Sequence, residues 1–411
     1  LLRRLHVEGF KSIGCVDVEL PGLTVLFGPN AAGKSNFLDA IQAVSRLGTE
    51  RTVSDAMSDP IRGHAVEAFS FGPEGLPALL SSEEACFTLE ADLRTGKDDL
   101  RYRVQVCIQP RSGGLSVRDE YLAVLNRRGE PRGTASVERV GDQLRIRRKS
   151  KPAHPRHEPV GLNHTILSDP RLGGVEYRYI ERYRQELEGW RTYYLDPRSA
   201  MRQAKPPAEV SDIGLLGENI APFLYRLRAQ SPKQYAAAKR TMRSLVPGVE
   251  DVEVDLDKRR GTLDILIRQN GTDFSSRIVS EGTLRVLALC AIAANPWAGG
   301  LVAFEEPENG VHPRRLELIA ELLTSLALRQ GRQVIVTSHS PVFCGAVLKR
   351  AKSDARIALL NVRGNGRGNT EIRPFGPLGP LYDDEQIRGA LADPSEEAVF
   401  QALLMRGLID G

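Results

Sequence analysis

Four short stretches hold the residues whose types and spacing can do chemistry. FGPNAAGKSN (residues 27–36) sets Gly28, Gly33, Lys34 and Ser35 at the spacing of a phosphate-cradling loop. Glycine at both positions permits backbone angles that a side chain would forbid. The loop's N–H groups can then wrap phosphate oxygens, and the N-terminus of a following helix adds partial positive charge. Lys34 is suited to β- and γ-phosphates, and the Ser35 hydroxyl to Mg²⁺. Phosphate contacts are expected along Gly28, Pro29, Asn30, Ala31, Ala32, Gly33, Lys34, Ser35 and Asn36.

The second stretch, LVAFEEPENGVHP (301–313), is an apolar run that ends in two carboxylates. In metal-assisted phosphoryl transfer, Glu305 at the strand end would hold the metal or its water, and Glu306 would orient and activate the attacking water. The third, QVIVTSHSP (333–341), delivers His339 into a polar turn, where a neutral imidazole can hydrogen-bond a γ-phosphate or that water. The fourth, Ser280-Glu281-Gly282-Thr283, precedes the apolar run LRVLALCAIAA. It reads equally as a helix N-cap with a flexible glycine and as a second anion site, and one capping turn can serve both ends.

These groups need rigid carriers. LTVLF (23–27) reads as a buried strand, and residues 35–44 place Phe37, Leu38, Ile41 and Val44 on one helical face, so the glycine loop joins strand to helix. Alternation over 3–20 predicts an antiparallel pair, and CFTLEADL, RYRVQVCI and YLAVLN within 85–125 predict three strands. Residues 51–80 read as loop with short helix and 126–165 as polar and turn-rich. Helices are expected over 175–190, 215–246, 284–294 and 314–330, and from about 395 to the end. Strands are expected at 191–197, on either side of a turn at 258–262, at 301–304 and at 333–337. The class is α/β. The uncharged window 286–304 has the length of a membrane span, but Asn295-Pro296 and Gly299-Gly300 break it into core pieces. Roughly 240 residues separate the first stretch from the fourth; they lack sustained heptads, so no long coiled-coil arm is expected.

Composition sets outer bounds. The chain has 411 residues, 41% hydrophobic and 26% charged, which fits two or three globular domains. A net charge of +4 is mild, so any nucleic-acid contact requires a local basic face. Cysteines 15, 86, 107, 290 and 344 show no metal spacing. They are expected to be small core residues in a reducing cytosol, without a disulfide framework. Two arginines within the first five residues argue against a signal peptide, and the expected location is cytoplasmic with no membrane partner.

In order, the glycine loop, SEGT before a helix, FEEPENGVHP and TSHSP resemble the ABC-type ATPase heads of the RecF, SMC and OLD group. The similarity is nearest to the compact bacterial AAA-family ATPases of that group, which lack long arms. It spans nearly the whole chain and includes EGFKSI, YYLDP, GENIAPFLYRLRAQSP and PGVEDVEV. The resemblance implies a P-loop ABC-type ATPase head with a mixed central sheet, an antiparallel β lobe and an inserted, mostly helical lobe. Residues 1–125 would form the N-terminal half of the head, 126–275 the inserted lobe and 276–411 the C-terminal half. Residues 28–35 become the Walker A loop, Glu305 the Walker B metal carboxylate and Glu306 the hydrolytic glutamate. Ser280–Thr283 become the signature motif, acting in trans. Glu308, Asn309 and Gly310 belong to a D-loop extending to His312, and His339 is the switch histidine. Lys34, Glu306 and His339 would be the catalytic set. Two departures, SEGT in place of LSGGQ and Glu in place of Asp at Walker B, suit the RecF and OLD side. Gln105 and Gln109 are candidates for the Q-loop.

The same resemblance implies ATP and Mg²⁺ as cofactors and a second copy of the chain as partner, with two ATP molecules sandwiched in a two-fold dimer that closes on ATP and opens on hydrolysis. DNA is the implied further partner, in repair or phage defence. RIRRKSKPAHPRH (145–157) carries six Lys or Arg in thirteen residues, with Arg145, Arg147, Arg148, Lys149 and Lys151 as candidate DNA contacts. YRYIERYRQ (177–185) interleaves aromatic and basic residues. Either stretch also reads as a solvated surface. An alternative is the ATPase sensor of a defence or toxin–antitoxin complex whose partner carries a nuclease; a remoter one is an ABC transporter subunit. The chain itself is not expected to be a nuclease. Asp383-Asp384-Glu385 and Glu396-Glu397 follow no buried strand, and His154, His157 and His164 lack nearby carboxylate spacing for a metal.

Overall fold

The structure is a computed structural model, and it describes residues 1–58, 61–72, 74–365 and 368–375. The chain opens with a hairpin, β1 (Leu2–Phe10) and β2 (Ile13–Glu19), then β3 (Leu23–Phe27) and helix α1 (Lys34–Thr49). Short helices α2 (Val53–Ala56) and α3 (Gly75–Ser81) lead to three long strands, β4 (Ala85–Thr95), β5 (Asp98–Gln109) and β6 (Gly114–Leu125). Three short strands follow, β7 (Val137–Val140), β8 (Gln143–Ile146) and β9 (Arg156–Pro159). Next come α4 (Arg178–Glu188), β10 (Arg191–Tyr193), α5 (Ile220–Gln230), α6 (Pro232–Leu245), β11 (Val249–Asp257), β12 (Thr262–Gln269) and β13 (Thr272–Ser275). The last third holds α7 (Glu281–Ala294), β14 (Leu301–Glu305), α8 (Leu316–Leu328), β15 (Gln333–Ser338), α9 (Pro341–Ala351), β16 (Ile357–Gly364) and β17 (Thr370–Pro374).

Three sheets result. The central one has the order β10-β14-β15-β3-β16-β17, parallel except for β17, and so is mixed. Its inner strands read as continuous apolar runs because both faces are covered: all five residues of β3 and all six of β15 are buried. Parallel register aligns Phe27 with Ser338 and Glu305 with Thr337, so the chemistry-bearing strand ends lie along one edge. One such alignment fixes the position of three motifs that are far apart in sequence. Buried Gln333 ties the sheets together. Its carbonyl accepts from the Leu2 N–H at 2.7 Å, and its amide donates to the Leu2 carbonyl at 2.6 Å and to the Leu20 carbonyl at 3.0 Å.

The second sheet is antiparallel, with the order β2-β1-β4-β5-β6-β7-β8-β9. It therefore runs on through 137–159, where the polar composition suggested turns, and the division at 125/126 falls inside it. These added strands are short and only a few of their residues are buried, so the usual apolar alternation is weak there. The segment 191–193, from the middle of the chain, forms an edge strand of the central sheet. The third sheet, β11-β12-β13, packs beside α5 and α6.

Beneath the antiparallel sheet lies a fully buried carboxylate, Glu120. It accepts from Tyr102 Oη at 2.9 Å and from the Ile166 and Leu167 N–H groups at 2.6 and 2.9 Å, pinning the segment that leads to α4. Burial raises its pKa to about 7.

One expectation about cysteine is corrected. Cys86 and Cys107 form a disulfide. They stand directly opposite each other on β4 and β5, so the strand register, not sequence spacing, brings them together. Cys15 is exposed, and only Cys290 and Cys344 are free buried thiols. The window 286–304 is α7, a turn and β14, and no helix among the described residues is long and apolar enough to cross a membrane. The helix expected near 395 and the acidic pairs at 383–385 and 396–397 lie outside the described residues.

Candidate active site

The glycine loop joins β3 to α1 as expected, and the structure explains why its glycines are required. Gly33 has φ +99°, and a Cβ there would meet Thr370 Oγ1 at 1.9 Å. A Cβ on Gly28 would meet the Val362 carbonyl at 2.1 Å. The floor beneath the loop is thus built by β16 and β17, from the far end of the chain. Thr370 Oγ1 bonds the Ala32 carbonyl at 3.0 Å and Ser12 Oγ at 2.7 Å, and Asn36 Nδ2 donates to Ser12 Oγ at 2.7 Å. Lys34 is buried and donates to the Gly28 and Pro29 carbonyls, both at 2.8 Å. Burial lowers its pKa, against the opposing fields of Glu306, Glu308 and Glu305.

The two strand-end carboxylates have separate partners. Ser35 Oγ donates to Glu305 Oε1, so the oxygens expected to share a cation already meet. Glu306 sits at φ +45°, an unusual angle for a non-glycine residue, and its N–H donates to the Thr337 carbonyl at 3.1 Å. Its two carboxylate oxygens are held by His339 Nδ1 at 2.8 Å and Asn309 Nδ2 at 2.6 Å. Glu308 is buried, accepts from Ser338 Oγ, and leaves Oε2 without a partner; burial raises its pKa to about 6.

The signature residues lie at the start of α7. Exposed Ser280 caps the helix, accepting from the Thr283 N–H at 3.2 Å. Glu281 accepts from Arg198 at 2.8 Å. Gly282 is buried against the D-loop, and a Cβ there would meet the Gly310 carbonyl at 2.0 Å. Among the described residues, no hydrogen bond joins Ser280, Glu281, Gly282 or Thr283 to the glycine loop.

Beside Glu305 lies a network whose parts were visible in the sequence only as unexplained motifs. Fully buried Asp39, one turn beyond Ser35 on α1, accepts from Lys11 Nζ, from Arg62 Nη2 at 3.0 Å and from Tyr194 Oη at 2.8 Å. Arg62 also approaches Glu305 at 3.5 Å and lies over the Tyr194 ring at 5.5 Å. EGFKSI therefore supplies Lys11 and Ser12, and YYLDP supplies Tyr194. Adjacent Tyr193 points to the other face and donates to Asp212. Nothing local in sequence marks Asp39 or Arg62, because their partners are remote along the chain.

The remaining candidates lie elsewhere. Gln105 is inside β5, and Gln109, at its end, accepts from Ser112 Oγ at 3.2 Å. Neither bonds a glycine-loop residue among those described. Arg145 and Arg147 both pair with Glu138, at 3.5 and 2.6 Å, whereas Arg148, Lys149 and Lys151 pair with no carboxylate among the described residues. His157 and His164 bond Gln143 and Asn163, and the only metal-like grouping of His, Cys and acidic residues among those described is Glu84 with the disulfide pair Cys86–Cys107.

A family model described as "AAA domain, putative AbiEii toxin, Type IV TA system" matches residues 23–345. The chain is 33% identical over 112 residues to the DNA replication and repair protein RecF of a Nocardioides species, covering 27% of this chain and 24% of that one. It is 42% identical over 55 residues to RecF of Streptococcus uberis, covering 13% and 15%. These matches span less than a quarter of either relative. In three dimensions, the chain is similar to an Smc head solved bound to the C-winged helix domain of ScpA. That similarity has a TM-score of 0.54 and 15% identity over 92% of this chain and 98% of the other, a likeness of fold. The architecture is that of an ABC-type ATPase head of the RecF/SMC group.

Proposed function

This chain belongs to the AAA-domain family matched over residues 23–345, and from that premise we propose that it binds and hydrolyses ATP and uses the nucleotide to close a dimer, acting on DNA. The observation that carries the reading is the convergence, along one sheet edge, of Ser35 with Glu305 and of His339 and Asn309 with Glu306. Ser35 and Glu305 fit a hard divalent cation such as Mg²⁺: both offer oxygen ligands, and those oxygens already touch. When bound, the cation supplies charge neutralisation at the β- and γ-phosphates.

The chain's own residues account for the rest. The Gly28–Gly33 loop presents N–H groups, and Lys34 exchanges its two loop carbonyls for phosphate oxygens. Glu306 accepts the proton of the attacking water, oriented by His339 on one oxygen and Asn309 on the other. The positive φ of Glu306 and the bond to Thr337 turn its side chain out of the strand's alternation. Ser280 is exposed at an α7 N-terminus that makes no bond to its own glycine loop, which supports its use on the nucleotide of a second copy.

The DNA part of the reading rests on the RecF-like stretches and on Arg148, Lys149 and Lys151 of the basic segment, which pair with no carboxylate among the described residues. A sensor role beside a separate effector protein, as in a defence or toxin–antitoxin pair, is supported by the family's description. DNA-stimulated hydrolysis separates the two: the clamp reading expects stimulation by DNA, and the sensor reading expects a co-purifying effector.

The basic activity has a direct test. Glu306→Gln should retain ATP binding and lose hydrolysis by roughly 10²–10⁴-fold. Lys34→Ala should weaken nucleotide binding itself. Unchanged turnover in Glu306→Gln would place the base elsewhere.

A further inference from the structure

The two basic stretches that the sequence shows separately meet in one cavity of about 210 Å³. Its walls come from the β6–β7 connection, from 147–149 of the basic segment and from 176–180 at the start of α4. At roughly 30 Å³ per water, the space corresponds to about seven water molecules, enough for a phosphate and its sugar.

The cavity's charge is unbalanced. Arg147 is matched by Glu138 and the Ala135 carbonyl, both at 2.6 Å. Arg148, Lys149 and Arg178 have no ion-pair partner among the described residues and face one lining carboxylate, Glu176. That carboxylate already accepts from Ser150 Oγ at 2.6 Å and from the Ser150 N–H at 3.2 Å. An excess of two positive charges remains.

Two further observations point to an anion. Arg148 Nε is buried with no acceptor. The guanidinium it belongs to lines the cavity with no carboxylate partner among the described residues, and a charge-assisted hydrogen bond from it favours an oxyanion. The cavity also lies at the N-terminus of the eleven-residue helix α4, whose N-cap, Tyr177, supplies no side-chain cap. Its first N–H groups and the positive end of the helix dipole add to the same preference. The Arg178 guanidinium stacks over the Tyr179 ring at 4.4 Å, which gives the wall a flat aromatic–cationic face.

We propose that this cavity binds the phosphate of a nucleotide, presented either by the 5′ end of a DNA strand or by a free nucleoside monophosphate. The DNA source rests on the DNA reading above; the phosphate site does not. It is separate from the P-loop, so the chain would carry one site that hydrolyses nucleotide and another that detects a phosphorylated nucleotide without cutting it.

The test uses the full chain carrying Lys34→Ala, which weakens the P-loop as a competing site. Binding is measured to dye-labelled ten-nucleotide single strands with a 5′-phosphate or a 5′-hydroxyl, and to free dAMP. Arg148→Gln and, as an independent variant, Arg178→Gln are compared with Lys233→Gln, an exposed change on α6. Circular dichroism confirms that each variant is folded. The phosphorylated strand should bind about tenfold or more tightly than the hydroxyl strand. Both arginine variants should erase that difference, and Lys233→Gln should keep it. Arginine-dependent binding of dAMP without any strand binding assigns the site to free nucleotide and removes the DNA strand as the source of the phosphate. Unchanged affinity of both arginine variants for the phosphorylated strand and for dAMP overturns the site. If duplex DNA lacking terminal phosphates still binds those variants, the DNA reading survives that loss.

Discussion

The P-loop edge and the cavity at the start of α4 are both proposed as phosphate sites, but they treat charge in opposite ways. At the P-loop edge every carboxylate has a partner: Asp39 is held by Lys11, Arg62 and Tyr194, Glu305 by Ser35, Glu306 by His339 and Asn309, and Glu308 by Ser338. Even Lys34 is folded onto loop carbonyls. In the α4 cavity the carboxylates are the ones spoken for, and Arg148, Lys149 and Arg178 have no ion-pair partner among the described residues. The first arrangement fixes atoms in place before chemistry, which is what lowers the cost of reorganisation in a reaction. The second leaves donors to be satisfied by whatever enters, which suits binding without turnover.

The contrast can be broken by removing one carboxylate from each region. Asp39 is fully buried beneath two cations, and breaking a buried ion pair by removing one partner typically costs about 3–5 kcal/mol. Asp39→Ala should therefore lower stability to chemical denaturation by that order and displace Arg62 from Glu305. Glu176→Gln, in the α4 cavity, should leave the urea midpoint essentially where it is in the wild type, as for an ordinary surface change. Equal costs would mean that the two regions do not differ in preorganisation.

Glu120 anchors the segment entering α4 through its bonds to Ile166 and Leu167. Its folded pKa of about 7 lies above the ordinary 4.5 because burial disfavours the charge. The protonated form is thus favoured in the folded chain. Its stabilisation is present in full below about pH 4.5 and is lost as pH rises to about 7, by on the order of 3 kcal/mol. Urea unfolding at pH 5 and 7.5 should show the wild type losing stability relative to Glu120→Gln over that interval. A difference that is flat with pH would show that Glu120 ionises in both states alike.

How much of this was legible in sequence depended on the reach of each contact. The β3–loop–α1 unit, the strands ending at Glu305 and Ser338, and the helix after Ser280 all carry their signals within about ten residues, and they fold as read. Gly28 and Gly33 were read as permitting backbone angles that a side chain would forbid. The structure adds that Val362 and Thr370, more than 300 residues away, leave no room for a Cβ. Asp39, Arg62 and the Cys86–Cys107 pair were missed for the same reason: strand register and helix packing select their partners, and neither is a local property. The basic run was read as one surface, yet the pairing of β7 with β8 places Arg145 opposite Glu138, and Arg145, Arg147 and Arg156 are ion-paired whereas Arg148, Lys149 and Lys151 have no such partner among the described residues.

The claim that two chains share each nucleotide site has a direct measurement in mixed-variant ATPase activity. Gly282 is a poor choice for it, because any side chain there would strike Gly310 within the same chain and damage both loops. Exposed Ser280 is better: Ser280→Tyr blocks the outward face of the α7 N-terminus at a capping cost of about 1 kcal/mol. Lys34→Ala and Ser280→Tyr chains should each be nearly inactive alone. Mixed in equal amounts, they should recover activity, because half of the composite sites in each heterodimer combine an intact P-loop with an intact Ser280. Absence of recovery, with heterodimers demonstrated by cross-linking, would contradict the shared site.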